Sequence, residues 1–276
     1  MKVDQGLEPW GGDASTARGE TRTKGLDTLA ARCEAYRAQG ARFAKWRAAL
    51  RASEAEKLPS TEAVRANAYD LARYAKTCQN AGLVPIVEPE VLINGDYSMA
   101  YSKDVATRVL SAVFDALARE NVDLRQCLLK PQMVVPGSDH RGDAPSASAI
   151  AEATLGVFER CVPASLPGIM FLSGGQSELE ATTNLNALNA MAAERGAERA
   201  PWALSFSFGR ALQASVLEVW CGDASNAPKA RTMAAALAAA NGAAASGSFQ
   251  PPHPSLLSGG TLVETFRGWG GAAKPR

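Results

Sequence analysis

The sequence predicts an α/β fold, a parallel (β/α)8 barrel of the TIM type supplied incompletely by this chain. Three observations point there. Five short stretches are apolar on both faces, as parallel strands covered on both sides are. Helical patterns with recognisable ends alternate with them, which makes βα units. Polar residues at or near the strand ends, Lys2, Lys45, Glu88, Lys130, Ser173 and Ser207, follow one another at intervals of 43, 43, 42, 43 and 34 residues. Chemistry in such barrels gathers at the C-terminal strand ends, so this beat fits a barrel. No sequence repeat accompanies it, which argues against a solenoid. The rival open doubly wound sheet lacks a G-x-G-x-x-G after its first strand.

In chain order, the predicted strands are Phe43–Leu50, Leu83–Val87, Cys127–Val134, Gly168–Gly175 and Trp202–Gly209. Ser60 suits the N-cap of a helix to about Asn80, with Gly82 just past its end. Further helices are predicted over about Lys103–Glu120, Ser146–Cys161, Ser177–Glu194, Gly209–Trp220 and Pro228–Ala240. With the stub Lys2–Asp4 the count reaches six strands, short of the eight a barrel needs. An unfinished barrel leaves raw strand edges, so the expectation is a fragment or a chain completed from elsewhere. Residues 1–241 are read as the partial barrel, and the Gly-, Ala-, Ser- and Pro-rich 242–276 as a flexible tail.

Composition narrows the chemistry. The 276 residues are 46% hydrophobic and 21% charged with a net charge of +1, a globular mixture with no electrostatic case for nucleic acid or an anionic membrane. No apolar run approaches the roughly 20 residues of a membrane span. Neither a signal peptide nor a transit peptide is legible at the N-terminus, so the expected location is cytoplasmic; a preceding segment is where a plastid address would sit. Cys33, Cys78, Cys127, Cys161 and Cys221 are single and odd in number, and read as buried free thiols. Two histidines, His140 and His253, are too few for a three-His zinc site. No metal or cofactor is predicted, and catalysis would run on Lys, Glu, Asp and Arg.

Lys130 ends an apolar strand in Leu128-Leu129-Lys130-Pro131. Burial disfavours the charged form of an amine, and a neutral amine attacks a ketone to form a Schiff base. The bland alternative is a strand-end lysine snorkelling to solvent. Glu88 and Glu90, two apart on a strand, share one face. Crowded together, two carboxylates raise one pKa and suit a proton shuttle; otherwise they are a solvated strand end. Lys45 and Arg47 share a face by the same period, either beside the reactive amine and a phosphate or as a surface pair. Ser173-Gly174-Gly175 before a helix, and Ser207-Phe208-Gly209-Arg210 at the next strand end, are anion cradles or simple tight turns.

Together the segments Lys-Val-Asp, Phe-Ala-Lys-Trp-Arg, Val-Pro-Ile-Val-Glu-Pro-Glu, Leu-Leu-Lys-Pro, Phe-Leu-Ser-Gly-Gly-Gln-Ser-Glu and Ser-Phe-Ser-Phe-Gly-Arg-Ala-Leu-Gln resemble class I fructose-bisphosphate aldolases in kind and order, over about residues 2–222. The resemblance implies a TIM barrel whose first two strands and most of the third lie outside this chain. It also implies a homotetramer that reversibly cleaves fructose 1,6-bisphosphate, a phosphorylated sugar, in glycolysis and gluconeogenesis. Lys130 would then be the Schiff-base lysine, Glu88 its general acid/base, and Lys45 and Glu90 supporting catalytic residues. Ser173, Gly174, Gly175, Ser207, Gly209 and Arg210 would hold one phosphate, with Arg47 and Lys2 lining the rest of the cleft. Arg125-Gln126 stand where the family carries Glu-Gly, Gln132 replaces Asn, and the family's terminal Tyr has no counterpart. The aspartate of carbon–carbon cleavage would precede Lys2, so this chain by itself is expected to be inactive. The alternative function is a non-catalytic aldolase-like binding or assembly protein.

Overall fold

The structure, a computed structural model, describes residues 1–12 and 18–257. Five parallel strands form one sheet in sequence order: β3 (Phe43–Leu50), β4 (Val84–Val91), β5 (Leu128–Leu129), β6 (Gly168–Phe171) and β7 (Ala203–Phe206). Between them run α2 (Thr61–Asn80), α3 (Met99–Arg119), α4 (Ala147–Cys161) and α5 (Glu178–Arg195), so each crossover is a βα unit. The stub at Lys2 makes a parallel bridge to Lys45, with Val3 N–H donating to the Lys45 carbonyl at 3.0 Å. A sixth extended segment therefore flanks β3, as the strand count expected.

Local chemistry explains the helix ends. The side chains of Ser60, Ser98, Ser146 and Ser177 each accept a backbone N–H three residues on. Ser177 and Glu180 complete a capping box at the start of α5, satisfying two otherwise orphaned donors. Gly82, at φ +71, leaves α2 through a conformation that costs a Cβ-bearing residue.

The core lies between the helices and the outer face of the sheet. Trp46 and Tyr74 are fully buried and stacked, ring centroids 5.5 Å apart. The Tyr74 hydroxyl donates to the Ala44 carbonyl at 2.7 Å and accepts the Ile86 N–H at 3.1 Å, pinning α2 across β3 and β4.

Several sequence expectations shift. β5 spans two residues instead of reaching Val134, because Pro131 has no N–H for the ladder. β4 runs on to Val91, so Glu88 and Glu90 sit on its last rungs rather than beyond it. β6 stops at Phe171, before the left-handed Gly174 and Gly175. The helix expected over Gly209–Trp220 is a 3-10 turn, Arg210–Leu212, followed by α6 (Ala214–Trp220). Among the described strands and α-helices, three were unforeseen: the antiparallel pair β1 (Leu7–Pro9) and β2 (Thr21–Thr23), and α1 (Leu29–Ala38). Of the five thiols, Cys33, Cys78 and Cys127 are buried, but Cys161 is half-buried and Cys221 exposed, at the left-handed end of α6.

The last α-helix among the described residues, α7 (Ala227–Ala244), extends past the predicted end at Ala240. Beyond it Phe249 and His253 are buried. Most of the segment expected as a tail, 258–276, lies outside the described residues.

Candidate active site

Strand alternation sorts the side chains. Ala44, Trp46, Ala48, Val87 and Leu129 enter the core, which turns Lys45, Arg47, Glu88, Glu90 and Lys130 to the opposite, inner face. Parallel pairing sets Arg47 beside Glu88, Ala49 beside Glu90 and Val87 beside Leu129. Lys130 N–H donates to the Val87 carbonyl at 2.8 Å, carrying the β4–β5 pairing one residue past the formal end of β5.

The side chains form a row of alternating charge. Lys130 Nζ lies 3.1 Å from Glu88 Oε1, and Lys45 Nζ lies 2.8 Å from Glu88 Oε2. Lys45 Nζ is also 3.5 Å from Asp4 Oδ2, and Lys2 Nζ is 2.7 Å from Asp4 Oδ1. The Lys130 side chain is 15% exposed and that of Glu88 5%, so Lys130 does not snorkel into bulk water. Lys2, 60% exposed, joins the row from its rim. Burial alone would raise the Asp4 carboxyl pKa; the hydrogen bond from Lys2 and the charges of Lys45 and Lys2 outweigh it and hold it below the usual value.

Glu90 belongs to a second cluster. Its carboxylate takes the Nε–H of Arg47. Burial opposes the Arg47 charge, yet the bond and charge of Glu90 raise its pKa. Arg210 feels the same field: burial and Arg47 lower its pKa while Glu90 pulls it up. The two glutamates, expected as a mutually repelling pair, are thus each matched with cations of their own, because Lys45 and Arg47 project from the neighbouring strand at the same spacing.

At the same end of the sheet, β6 leaves through Ser173, Gly174 (φ +50) and Gly175 (φ +81). A Cβ on Gly175 would stand 3.0 Å from Ile93 Cγ2. Gln176 Nε2–H donates to the Ser173 carbonyl at 2.9 Å. Gln132, the departure from Asn, accepts the Val91 N–H on Oε1 at 3.0 Å, tying the end of β4 to the segment after Lys130. Ser207 N–H donates to the Phe171 carbonyl at 2.8 Å, so the Ser207-Phe208-Gly209-Arg210 turn follows directly on β7. The two expected cradles therefore stand at adjacent strand ends.

Arg125 does not reach the lysine. It is 79% exposed, paired to Asp123 at 3.0 Å, and precedes β5 at the opposite end of the sheet. Asp4 was not assigned a role from the sequence. Its spacing of two from Lys2 on extended chain was the available signal, but its partner Lys45 is 41 residues away.

The sequence profile of class-I fructose-bisphosphate aldolase matches residues 1–264. The chain is 49% identical to a fructose-bisphosphate aldolase of Dictyostelium discoideum, over 84% of this chain and 62% of that protein. It is 47% identical to the cytoplasmic isozyme 2 of Pisum sativum, over 91% and 66%. A solved fructose-bisphosphate aldolase from Plasmodium falciparum, in complex with TRAP and a small-molecule inhibitor, superposes with a TM-score of 0.85 at 44% identity, over 91% of this chain and 69% of that one. The chain spans about two thirds of the length of the curated relatives it matches. Its parallel sheet is part of the TIM barrel those relatives share, and the chain belongs to the class-I fructose-bisphosphate aldolase family.

Proposed function

We propose that the chain carries the Schiff-base chemistry of a fructose-bisphosphate aldolase, a lyase that reversibly splits fructose 1,6-bisphosphate into dihydroxyacetone phosphate and glyceraldehyde 3-phosphate in glycolysis and gluconeogenesis. The observation that carries this reading is the Lys130–Glu88 pair: a shielded amine 3.1 Å from a buried carboxylate at a C-terminal strand end. Glu88 takes a proton from the Lys130 ammonium, and the freed electron pair attacks the ketose carbonyl. Glu88 then returns the proton as the carbinolamine loses water, leaving an iminium. Carbon–carbon cleavage sends its electron pair into that iminium as a base removes the neighbouring hydroxyl proton. Lys45 and Glu90 support the reaction electrostatically. Ser173, Gly174, Gly175, Ser207, Gly209 and Arg210 receive a phosphate at adjacent strand ends, with Arg47 and Lys2 toward the rest of the cleft.

The test is trapping. Borohydride with dihydroxyacetone phosphate is expected to leave a covalent mass adduct on Lys130, and Lys130→Met is expected to abolish it. An adduct on another lysine, or none, overturns the reading.

We further infer a cytoplasmic homotetramer. The pea relative is named a cytoplasmic isozyme. Sedimentation of the purified chain checks the tetramer. The second reading, a non-catalytic binding or assembly protein, is favoured by one observation: the described sheet is an open row with β7 at one edge, and exposed edges recruit partners. Folding that requires a partner chain, with no adduct on Lys130, would support it.

A further inference from the structure

We propose that Asp4 is a positioning residue that holds Lys45 against Glu88 and so keeps the other oxygen of Glu88 for Lys130. The inference rests on the Schiff-base reading above. Asp4 Oδ1 is taken by Lys2, but Oδ2 is buried with no hydrogen-bond partner and lies 3.5 Å from Lys45 Nζ. A buried carboxylate oxygen left without a donor is costly, and the nearby ammonium is what compensates it. Lys45 is thereby held between two carboxylates, 2.8 Å from Glu88 and 3.5 Å from Asp4. Glu88 in turn lies between two ammonium groups, one to each oxygen.

The backbone makes this arrangement rigid. Met1 and Val3 exchange hydrogen bonds with both sides of Lys45, with Lys45 N–H to Met1 O at 2.7 Å and Val3 N–H to Lys45 O at 3.0 Å. The Val3 carbonyl accepts Arg32 Nη1 at 2.6 Å and the Asp4 carbonyl accepts Lys2 Nζ at 2.9 Å. The segment bearing Asp4 is thus clamped along β3 and cannot drift from Lys45 without breaking these bonds. The low pKa of Asp4 keeps it anionic through the neutral range.

Removing this anion has a consequence that a purely structural residue would not produce: Lys45 loses one of its two anchors, which loosens its hold on Glu88, so the effect depends on Lys45 being present. The experiment is the rate of borohydride trapping of dihydroxyacetone phosphate on Lys130 at pH 7. It is run in the intact chain, Asp4→Asn, Asp4→Glu, Lys45→Met and the double variant Asp4→Asn/Lys45→Met.

Asp4→Asn is expected to trap about tenfold more slowly at pH 7, the size of a typical coupling between contacting charged groups. Asp4→Glu is expected to restore most of the rate, and it also answers for Asp4→Asn should circular dichroism show that variant unfolded. The double variant is expected to be no slower than Lys45→Met alone. An unchanged rate in Asp4→Asn, additive losses in the double variant, or an Asp4→Glu rate as slow as that of Asp4→Asn would overturn the proposal. A wild-type chain that gives no Lys130 adduct overturns the underlying reading instead, so the two failures are told apart.

Discussion

Glu88 divides its carboxylate between two lysines, Oε1 facing Lys130 Nζ at 3.1 Å and Oε2 facing Lys45 Nζ at 2.8 Å. One buried carboxylate thus lies between two ammonium groups and offsets part of their mutual repulsion. Glu88→Gln keeps the shape and removes the charge. It is expected to slow adduct formation on Lys130 about a hundredfold, the lower end of general acid–base contributions, while the far-ultraviolet circular dichroism stays native. Trapping kinetics at pH 7 check it.

Arg125 offers a control. Because its side chain faces solvent and pairs with Asp123 ahead of β5, Arg125→Glu, the family's charge at that position, is expected to change the trapping rate less than about twofold; surface charges this exposed are largely screened. A larger change in the same assay would mean that the region before β5 communicates with Lys130.

Gly175 leaves β6 at φ +81 with Ile93 Cγ2 3.0 Å from where a Cβ would stand. Gly175→Ala is expected to cost about 1 kcal/mol from the backbone conformation alone. It is also expected to raise the KM for phosphorylated ligand more than it lowers the limiting rate, since the proposed role of the turn is to hold the phosphate rather than the carbonyl. Urea titration reads the first effect and trapping against ligand concentration the second.

Arg22 spans from β2 to α2 and holds the buried Asp70 with both Nε and Nη2, at 2.5 and 2.8 Å. Arg22→Ala leaves that carboxylate buried without its cation, which costs several kcal/mol in a dry site. Arg22 is itself partly solvated, so the expected loss is about 2 kcal/mol after screening. Urea denaturation checks it.

His253 anchors the end of the described chain. Its Nδ1 accepts the Ser255 backbone N–H at 3.1 Å, which leaves Nε2 to donate to Thr182 Oγ1, 3.1 Å away. Burial lowers its pKa from 6.5, so below that value the unfolded chain binds a proton that the folded chain resists. Stability is therefore expected to be flat above about pH 6.5 and to fall as the pH drops from there to the lower folded value. In His253→Asn that slope should be reduced, as thermal melts across the range would report.

Much of this molecule was legible before folding. The apolar runs of β3, β4, β6 and β7, and the capping serines of α2, α4 and α5, are local signals: strand burial and orphaned N–H groups act within a few residues. Lys45, Arg47, Glu88, Glu90 and Lys130 could be set on common strand faces by period alone. α1 escaped because Thr28 makes no side-chain cap and only Leu29 and Cys33 are buried, so no apolar stripe marks it. The β1–β2 pair escaped because β1 is exposed along its whole length.

The sequence by itself determined most of the parallel strands and their helices, which polar residues share a strand face, and the family to which their order belongs. Only the tertiary structure decided who pairs with whom: that Glu88 meets two lysines, that Glu90 turns to Arg47, that Asp4 meets Lys45, and that Arg125 faces solvent beside Asp123. The physical reason is range. Caps, periodicity and turn chemistry act between residues close along the chain, whereas an ion pair depends on side chains brought within about 4 Å from strands some 40 residues apart, and the parallel register that aligns them is set by packing the whole sheet against its helices.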